Sequence, residues 1–326
     1  MNALILRASV FVLVVALLAG TAMAVNIETV PVGNPGNAGE LSGSGAGGYG
    51  PNRICGAVAY TYNIGKYEVT AGQYTEFLNK VAAADMYGLY NTYMWSDTYG
   101  CKIQRSGSSG SYTYSVASNY ANRPVNYVSW GDSVRFANWL HNGQPTGPQG
   151  AGTTETGAYT LNGAMTDAEL SAVTRNVNWK WAITSEDEWY KAAYHKNDGI
   201  TGNYWPYPTS SDHINTSMAN YGMSVGHTTD VGGYLYPSPY GTFDQGGNVW
   251  EWNEAAPYSA FRGERGGSFS SYDGDLLASG RNYGDYPTYE CVSIGFRVSE
   301  VPEPTSLALL AFGGIGMVVR RGGLRR

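Results

Sequence analysis

Turn-forming residues interrupt this sequence so often that only short secondary-structure elements can form. The 326 residues include 44 glycines and 27 tyrosines, and charged residues make up 14% of the chain, below the ~25% usual in soluble domains. Two long stretches, 142–178 and 195–239, have the composition of irregular insertions. Long irregular segments in a compact domain usually carry function or need a special tie such as a metal or disulfide. The sequence therefore predicts a loop-rich, exported type of domain.

Three capping patterns predict short helices that begin after Thr70, Ser129 and Ser185. In the first, Gln73 completes a capping box three residues after Thr70, the spacing that satisfies two free backbone N–H groups. Apolar side chains then recur at i, i+3, i+4 and i+7, which places them on one face of a helix that contacts the core. Those side chains are Tyr74, Phe77, Leu78 and Val81.

The N-terminus, residues 1–24, has the three parts of a cleaved signal peptide. Arg7 precedes an apolar run over 8–19, and Ala22-Met23-Ala24 is a small-x-small cleavage site. The alternative, a transmembrane helix, is disfavoured because the run is shorter than the ~20 residues needed to span a bilayer. Signal peptidase cleavage would make Val25 the first residue of the mature protein.

Residues 25–52 are rich in Gly, Pro, Asn and Ser and have few apolar side chains. Such a composition is typical of a flexible segment that cannot bury a core. We therefore expect a flexible Gly-rich leader at 25–52, followed by a folded domain over 53–300. The glycines do not indicate a phosphate-binding loop, because no Lys-Ser/Thr follows them.

The C-terminal residues 301–326 form a tail of three parts. Pro302-Glu303-Pro304 precedes an apolar stretch over 307–319, and four arginines follow it. This tail resembles the PEP-CTERM sorting signal, whose Pro-Glu-Pro is recognised by a membrane-embedded exosortase that cleaves the tail. The resemblance implies an exported protein of a Gram-negative bacterium, held in the membrane through its tail before cleavage and then placed at the outer surface or in the extracellular matrix.

The three cysteines would meet an oxidising compartment after export. We predict Cys55 and Cys101 as the pair that forms a disulfide if one forms, with Cys291 as a buried, inert thiol. Sequence alone does not settle the pairing. The net charge of −6 and the lack of a basic stripe argue against nucleic acid as a partner.

Six ordered motifs between 53 and 300 resemble the sulfatase-modifying-factor, or formylglycine-generating-enzyme, domain. The resemblance implies an α+β, variant C-type-lectin fold with little regular secondary structure. In that fold we expect the tryptophans of the motifs to pack in the core, in preference to forming a sugar-stacking platform. The motifs are Ile64–Thr70, Pro124–Trp130, Thr184–Trp189, Gly247–Trp252, Arg265–Phe269 and Gly295–Arg297.

Enzymes of this family oxidise a sulfatase cysteine to formylglycine with molecular oxygen, using copper held by two cysteines. The family spacing places those cysteines at Ser271 and Leu276 of this chain. Serine is a hard, weakly acidic ligand and leucine is no ligand, so copper binding is not expected. We predict no catalytic residues, and the four histidines show no metal or nucleophile motif that would replace the cysteine pair.

The resemblance also implies a calcium loop, with carboxylate oxygens from Asp244 and Glu251 and main-chain oxygens from Gly247 and Val249. Hard oxygen ligands at irregular spacing suit Ca²⁺. The alternative is a glycine turn whose acidic groups bond nearby backbone.

The segment that forms the substrate groove in the enzymes carries polar and aromatic residues that suit adaptable contacts. Our leading hypothesis is thus a non-catalytic module that binds a surface ligand, whether glycan, peptide or protein. The alternatives are a family oxidoreductase with a divergent metal centre and a purely structural matrix component. The groove candidates are Ser271, Tyr272, Asp273, Asp275, Arg281, Asn282 and Tyr283.

Overall fold

A computed structural model describes residues 24–301 of the chain. The signal peptide apart from Ala24, and the sorting residues Pro302, Glu303 and Pro304, therefore lie outside the described residues. The described part contains short elements joined by long loops, and none of its helices is both long and apolar enough to cross a membrane. The strands are β1 Thr29–Val32, β2 Glu40–Ser42, β3 Arg53–Cys55, β4 Tyr62–Gly65, β5 Ile103–Ser106, β6 Thr113–Val116, β7 Trp181–Ile183, β8 Trp250–Trp252, β9 Glu264–Arg265, β10 Ile294–Phe296 and β11 Val298–Glu300.

The helices include the three that the capping patterns predict. The N-cap hydroxyls of Thr70, Ser129 and Ser185 each accept a hydrogen bond from the backbone N–H three residues on, at 3.0–3.2 Å. Each cap satisfies backbone donors that the first helical turn leaves free. The helices are α1 Ala71–Val81, α2 Tyr93–Ser96, α3 Trp130–His141, α4 Asp167–Ser171 and α5 Glu186–Tyr194, with 3₁₀ turns at Ser44–Ala46 and Asp273–Leu276.

Two sheets organise the domain. The larger is antiparallel in the order β1-β4-β11-β7, and in the smaller one β8 pairs in parallel with β10 and antiparallel with β9. The main core lies where α1 and α3 meet these strands: the Phe136 ring is 5.3 Å from Phe77 and 5.4 Å from Phe296. Trp130, Trp189 and Trp252 are fully buried, so the prediction that motif tryptophans belong to the core is confirmed for these three.

The segment 25–52 differs from the flexible leader that its composition predicts. Val30 pairs with Ile64 as β1 joins the free edge of β4, and β2 pairs with β3. Val32 is fully buried, and Val30 packs against the same cluster. These two valines attach β1 to the sheet as a short edge strand. The glycines allow close backbone approach: a Cβ on Gly50 would lie 1.7 Å from the carbonyl oxygen of Arg281.

The predicted disulfide is wrong for this structure, because all three cysteines are free thiols. Cys55 lies in a cluster with Trp189, whereas Cys101 lies in the main core, where burial raises its pKa to about 11. Arg265 donates to the Cys55 sulfur at 3.3 Å. Cys291 is half-buried, which is more open than the buried thiol expected from sequence.

Candidate ligand-binding face

The two positions that carry copper-binding cysteines in the enzymes have structural contacts here. The Ser271 hydroxyl accepts a hydrogen bond from the Ser268 N–H at 2.9 Å. Leu276 is fully buried beside Tyr207 and Ala219. Neither side chain offers a soft sulfur ligand to a metal.

Both carboxylates of the predicted calcium loop accept hydrogen bonds from the protein. Glu251 accepts from Arg297 at 2.6 Å with each of its oxygens, and also from the Trp189 indole at 2.7 Å. Asp244 accepts from the Gly232 N–H at 2.5 Å. Among residues 24–301, no group of three or more His, Cys, Asp or Glu side chains could hold a metal ion. Both Glu251 oxygens are thus engaged by Arg297, and calcium binding by Asp244, Gly247, Val249 and Glu251 stays a prediction.

A carboxyl group that the sequence analysis missed lies near Asp244. Glu68 is 2% exposed and neither of its carboxyl oxygens has a hydrogen-bond partner. Burial, and then the charge of Asp244, raise the pKa of Glu68 well above its usual range, while burial raises that of Asp244 to about 6. The sequence analysis did not single out Glu68, because its neighbour Asp244 is distant along the chain.

Two of the predicted groove residues, Arg281 and Asp275, are bonded to other parts of the protein. Arg281 is buried and its guanidinium bonds Glu186 at 2.7 and 2.8 Å. Burial would raise the pKa of Glu186, but Arg265 and Arg281 outweigh it and hold the value at about 2. Asp275 accepts from the Tyr49 hydroxyl at 2.9 Å and from the Tyr272 N–H at 2.9 Å. Arg281 and Asp275 thus stabilise the segment, and Tyr272 and Asp273 are exposed.

Tyr283, by contrast, belongs to a line of aromatic rings that we call the aromatic strip. Its centroid lies 6.2 Å from Tyr258, with the rings almost parallel, and 6.4 Å from Tyr49. Phe261 continues the line, 6.1 Å from Tyr258 and 4.8 Å from Tyr286. Tyr258, Tyr283 and Tyr286 are 45–51% exposed. The rings are thus held by mutual contacts while about half of each of these three tyrosines stays exposed to a ligand.

A backbone bridge joins the two segments of the aromatic strip, 258–262 and 283–286. Arg262 and Asp285 exchange backbone hydrogen bonds at 2.8 and 3.1 Å, which joins segment 258–262 to segment 283–286. Gly284, at φ +77°, allows this approach, since a Cβ there would lie 2.2 Å from the Arg262 carbonyl oxygen. These hydrogen bonds therefore fix the backbones of the two segments relative to each other.

Acidic groups adjoin the aromatic strip. Asn282 donates to one oxygen of the buried Glu264 at 3.0 Å, while the other oxygen has no partner. Burial raises the pKa of Asp285, and burial together with the charge of Asp132 raises that of Glu290 to about 9. Asn91 donates to Glu290 and so joins this end of the segment to the loop before α2.

A cavity of about 790 Å³ lies elsewhere in the domain. It is lined by residues of the chain near Val25 together with Tyr67, Glu68 and Gln73. None of the predicted groove residues and no member of the aromatic strip lines it.

Comparison with known structures defines the fold class as the variant C-type lectin. Treponema denticola variable protein 1 is 20% identical, with 84% of this chain and 95% of that chain covered and a TM-score of 0.59. CarF is 21% identical over 85% of this chain and 99% of its own, with a TM-score of 0.54. PvdO from Pseudomonas aeruginosa is 19% identical over 84% and 94% of the two chains, with a TM-score of 0.49. At these identities, the likenesses to variable protein 1 and to CarF show the fold alone.

The family follows from the sequence match. The model of the sulfatase-modifying factor enzyme 1-like domain matches residues 53–301, and the chain therefore belongs to that family. The PEP-CTERM protein-sorting motif matches residues 300–326, which indicates an exported protein of the Gram-negative cell envelope that is processed by an exosortase. A comparison with curated protein sequences finds no match.

Proposed function

We propose that this chain is a non-catalytic ligand-binding module of its family, displayed at the outer surface or in the exopolysaccharide, and that the aromatic strip is its ligand-binding face. The observation that carries the proposal is the line of contacting aromatic rings from Tyr49 to Tyr286, in which Tyr258, Tyr283 and Tyr286 are about half exposed. Rigid tyrosines bring large contact area at low entropic cost, which favours their use in binding sites.

The positions of Ser271 and Leu276 support a binding role over oxidation of a cysteine. Ser271 bonds its own turn and Leu276 fills the interior, so the copper chemistry of the family enzymes has no ligands at these two positions. Calcium at Asp244 stays a separate prediction that the proposed binding face does not require.

An array experiment tests the proposal. The protein carrying residues 25–301 should be applied to bacterial polysaccharides, peptides and envelope proteins, alongside Tyr283→Ala/Tyr286→Ala and a control, Tyr93→Ala. Tyr93 is 58% exposed and stacks on Tyr127, outside the aromatic strip. The proposal expects a ligand that binds the wild type and the control but loses at least tenfold in affinity with the double variant. Ligands bound equally by all three proteins would overturn it.

A further inference from the structure

The segment 255–293 has an uneven distribution of charge. It contains no lysine, and its arginines Arg262, Arg265 and Arg281 are only 1–5% exposed. Each guanidinium is already bonded inside the protein: Arg265 and Arg281 to Glu186, and Arg262 to the carbonyl oxygens of Leu170, near the end of α4, and Val173, in the loop after it. The segment therefore presents no basic side chain to a ligand.

Carboxyl groups of the same segment remain open to solvent or lack partners. Asp273 is exposed, and Asp275, Asp285 and Glu290 are half-buried. Within the described residues, no basic side chain neutralises Asp285 or Glu264. Burial raises the pKa of Glu264 well above its usual range and, with the charge of Asp132, that of Glu290 to about 9. The negative potential that a basic ligand would meet on this face therefore comes from Asp273, Asp275 and Asp285.

The buried carboxyl of Glu264 also points to a ligand, independently of the charge distribution. It is 2% exposed on the edge strand β9, and its Oε1 has no hydrogen-bond partner. Its neighbours include Asn282, which bonds the other oxygen, and Asp285, whose charge acts on it. Burying a polar group without a partner costs about 1–3 kcal/mol. Oε1 is itself shielded from solvent, and a ligand donor that reached it would recover that cost.

We infer that the aromatic strip and the carboxyl groups of Glu264 and Asp285 form a binding site for a cationic side chain, an arginine or lysine, of a protein or peptide partner. This inference rests on the proposed function and names its ligand class. Tyr283 and Tyr286 supply ring faces that attract a cation. Asp285 supplies the opposite charge, and Glu264 supplies the acceptor that lacks a donor.

Two 12-residue peptides of otherwise uncharged sequence test the inference. One carries two arginines and the other carries citrulline at those positions, which keeps the shape and removes the charge. We expect the arginine peptide to bind at least tenfold more tightly, and its binding to shift the amide NMR signals of 258–262 and 282–291. Raising the salt concentration should weaken it, because salt screens exposed charges.

Two variants of the site and one control complete the design. Asp285→Asn changes a half-buried carboxyl and Glu264→Gln a buried one, and each should lower the affinity for the arginine peptide by about fivefold or more. Glu76→Gln, on the exposed side of α1, should leave it unchanged, which separates a site from general attraction to an acidic protein. Amide spectra of the unliganded variants verify that they fold.

Equal affinity for the two peptides, or equal losses in all three variants, would overturn the inference. If a polysaccharide on the array binds through Tyr283 and Tyr286 without regard to Asp285 and Glu264, the inference fails while the proposed function stands. If no ligand depends on the tyrosines, both fail.

Discussion

Both carboxylate oxygens of Glu251 accept hydrogen bonds from the Arg297 guanidinium at 2.6 Å, and both side chains are fully buried. The pair joins β8 to the turn between β10 and β11. The Arg297 guanidinium therefore neutralises the charge of Glu251 inside the protein.

The first prediction concerns this ion pair. Glu251→Ala should lower the free energy of unfolding by about 3–5 kcal/mol, because it leaves Arg297 charged and buried without its partner. Urea unfolding should show the same loss with calcium and with a chelator. As a matched control, Glu28→Ala removes an exposed partner of Lys66 and should cost less than ~1 kcal/mol. A loss for Glu251→Ala that appears only in the presence of calcium would assign the residue to a calcium site instead.

The second prediction is a pH dependence set by Glu290. Burial, and then the charge of Asp132, raise its pKa from 4.5 to about 9. A carboxyl that holds its proton more tightly in the folded state stabilises the fold fully below pH 4.5. That contribution is lost as the pH rises toward about 9.

Glu290→Gln keeps the shape of the side chain and removes its titration. The free energy of unfolding of the wild type should fall more steeply than that of the variant between pH 5 and 9, the range below the raised pKa of about 9. Parallel curves for the two proteins would show that Glu290 does not bind its proton more tightly on folding.

Local sequence patterns predicted the structure correctly where a short stretch of chain determines it. Thr70, Ser129 and Ser185 each bond a backbone N–H three residues away, so the beginnings of α1, α3 and α5 could be predicted. The order of the motifs likewise identified the family and its fold. In both cases the signal lies in residue types at fixed spacing.

Contacts between residues that are far apart along the chain could not be predicted in this way. Pairing of β1 with β4 depends on an edge that only the folded sheet provides, so the composition of 25–52 misled. The line from Tyr49 through Tyr283 to Tyr258 joins three separate segments, and only Tyr283 was anticipated. Likewise, Arg281 was predicted to contact a ligand, but in the fold its guanidinium bonds Glu186, which is distant along the chain.

The third prediction concerns catalysis. The purified protein, supplied with copper(I), oxygen and a sulfatase-derived cysteine peptide, should form no formylglycine above a denatured control, because Ser271 and Leu276 cannot bind copper(I) as thiolates do. Mass spectrometry of the peptide measures the product. Ser271→Cys/Leu276→Cys should gain copper binding that neither single variant shows, and turnover by the wild type would establish an enzyme.

The fourth prediction concerns sorting. Replacing Pro302, Glu303 and Pro304 by alanine should leave the tail uncleaved and the protein in the inner membrane, because the exosortase no longer recognises its motif. Cell fractionation followed by immunoblotting locates the protein. The wild type serves as the cleaved reference, and normal surface delivery of the triple variant would refute the role of the motif.

The measurement that tests the binding account most directly is hydrogen–deuterium exchange with and without the strongest array ligand. We predict protection in 258–262 and 282–291, where the backbone bridge between Arg262 and Asp285 carries the aromatic strip. Tyr283→Ala/Tyr286→Ala should abolish that protection at the same ligand concentration. Protection confined to the cavity of about 790 Å³ near Val25 and Glu68, with the strip unchanged, would contradict the account.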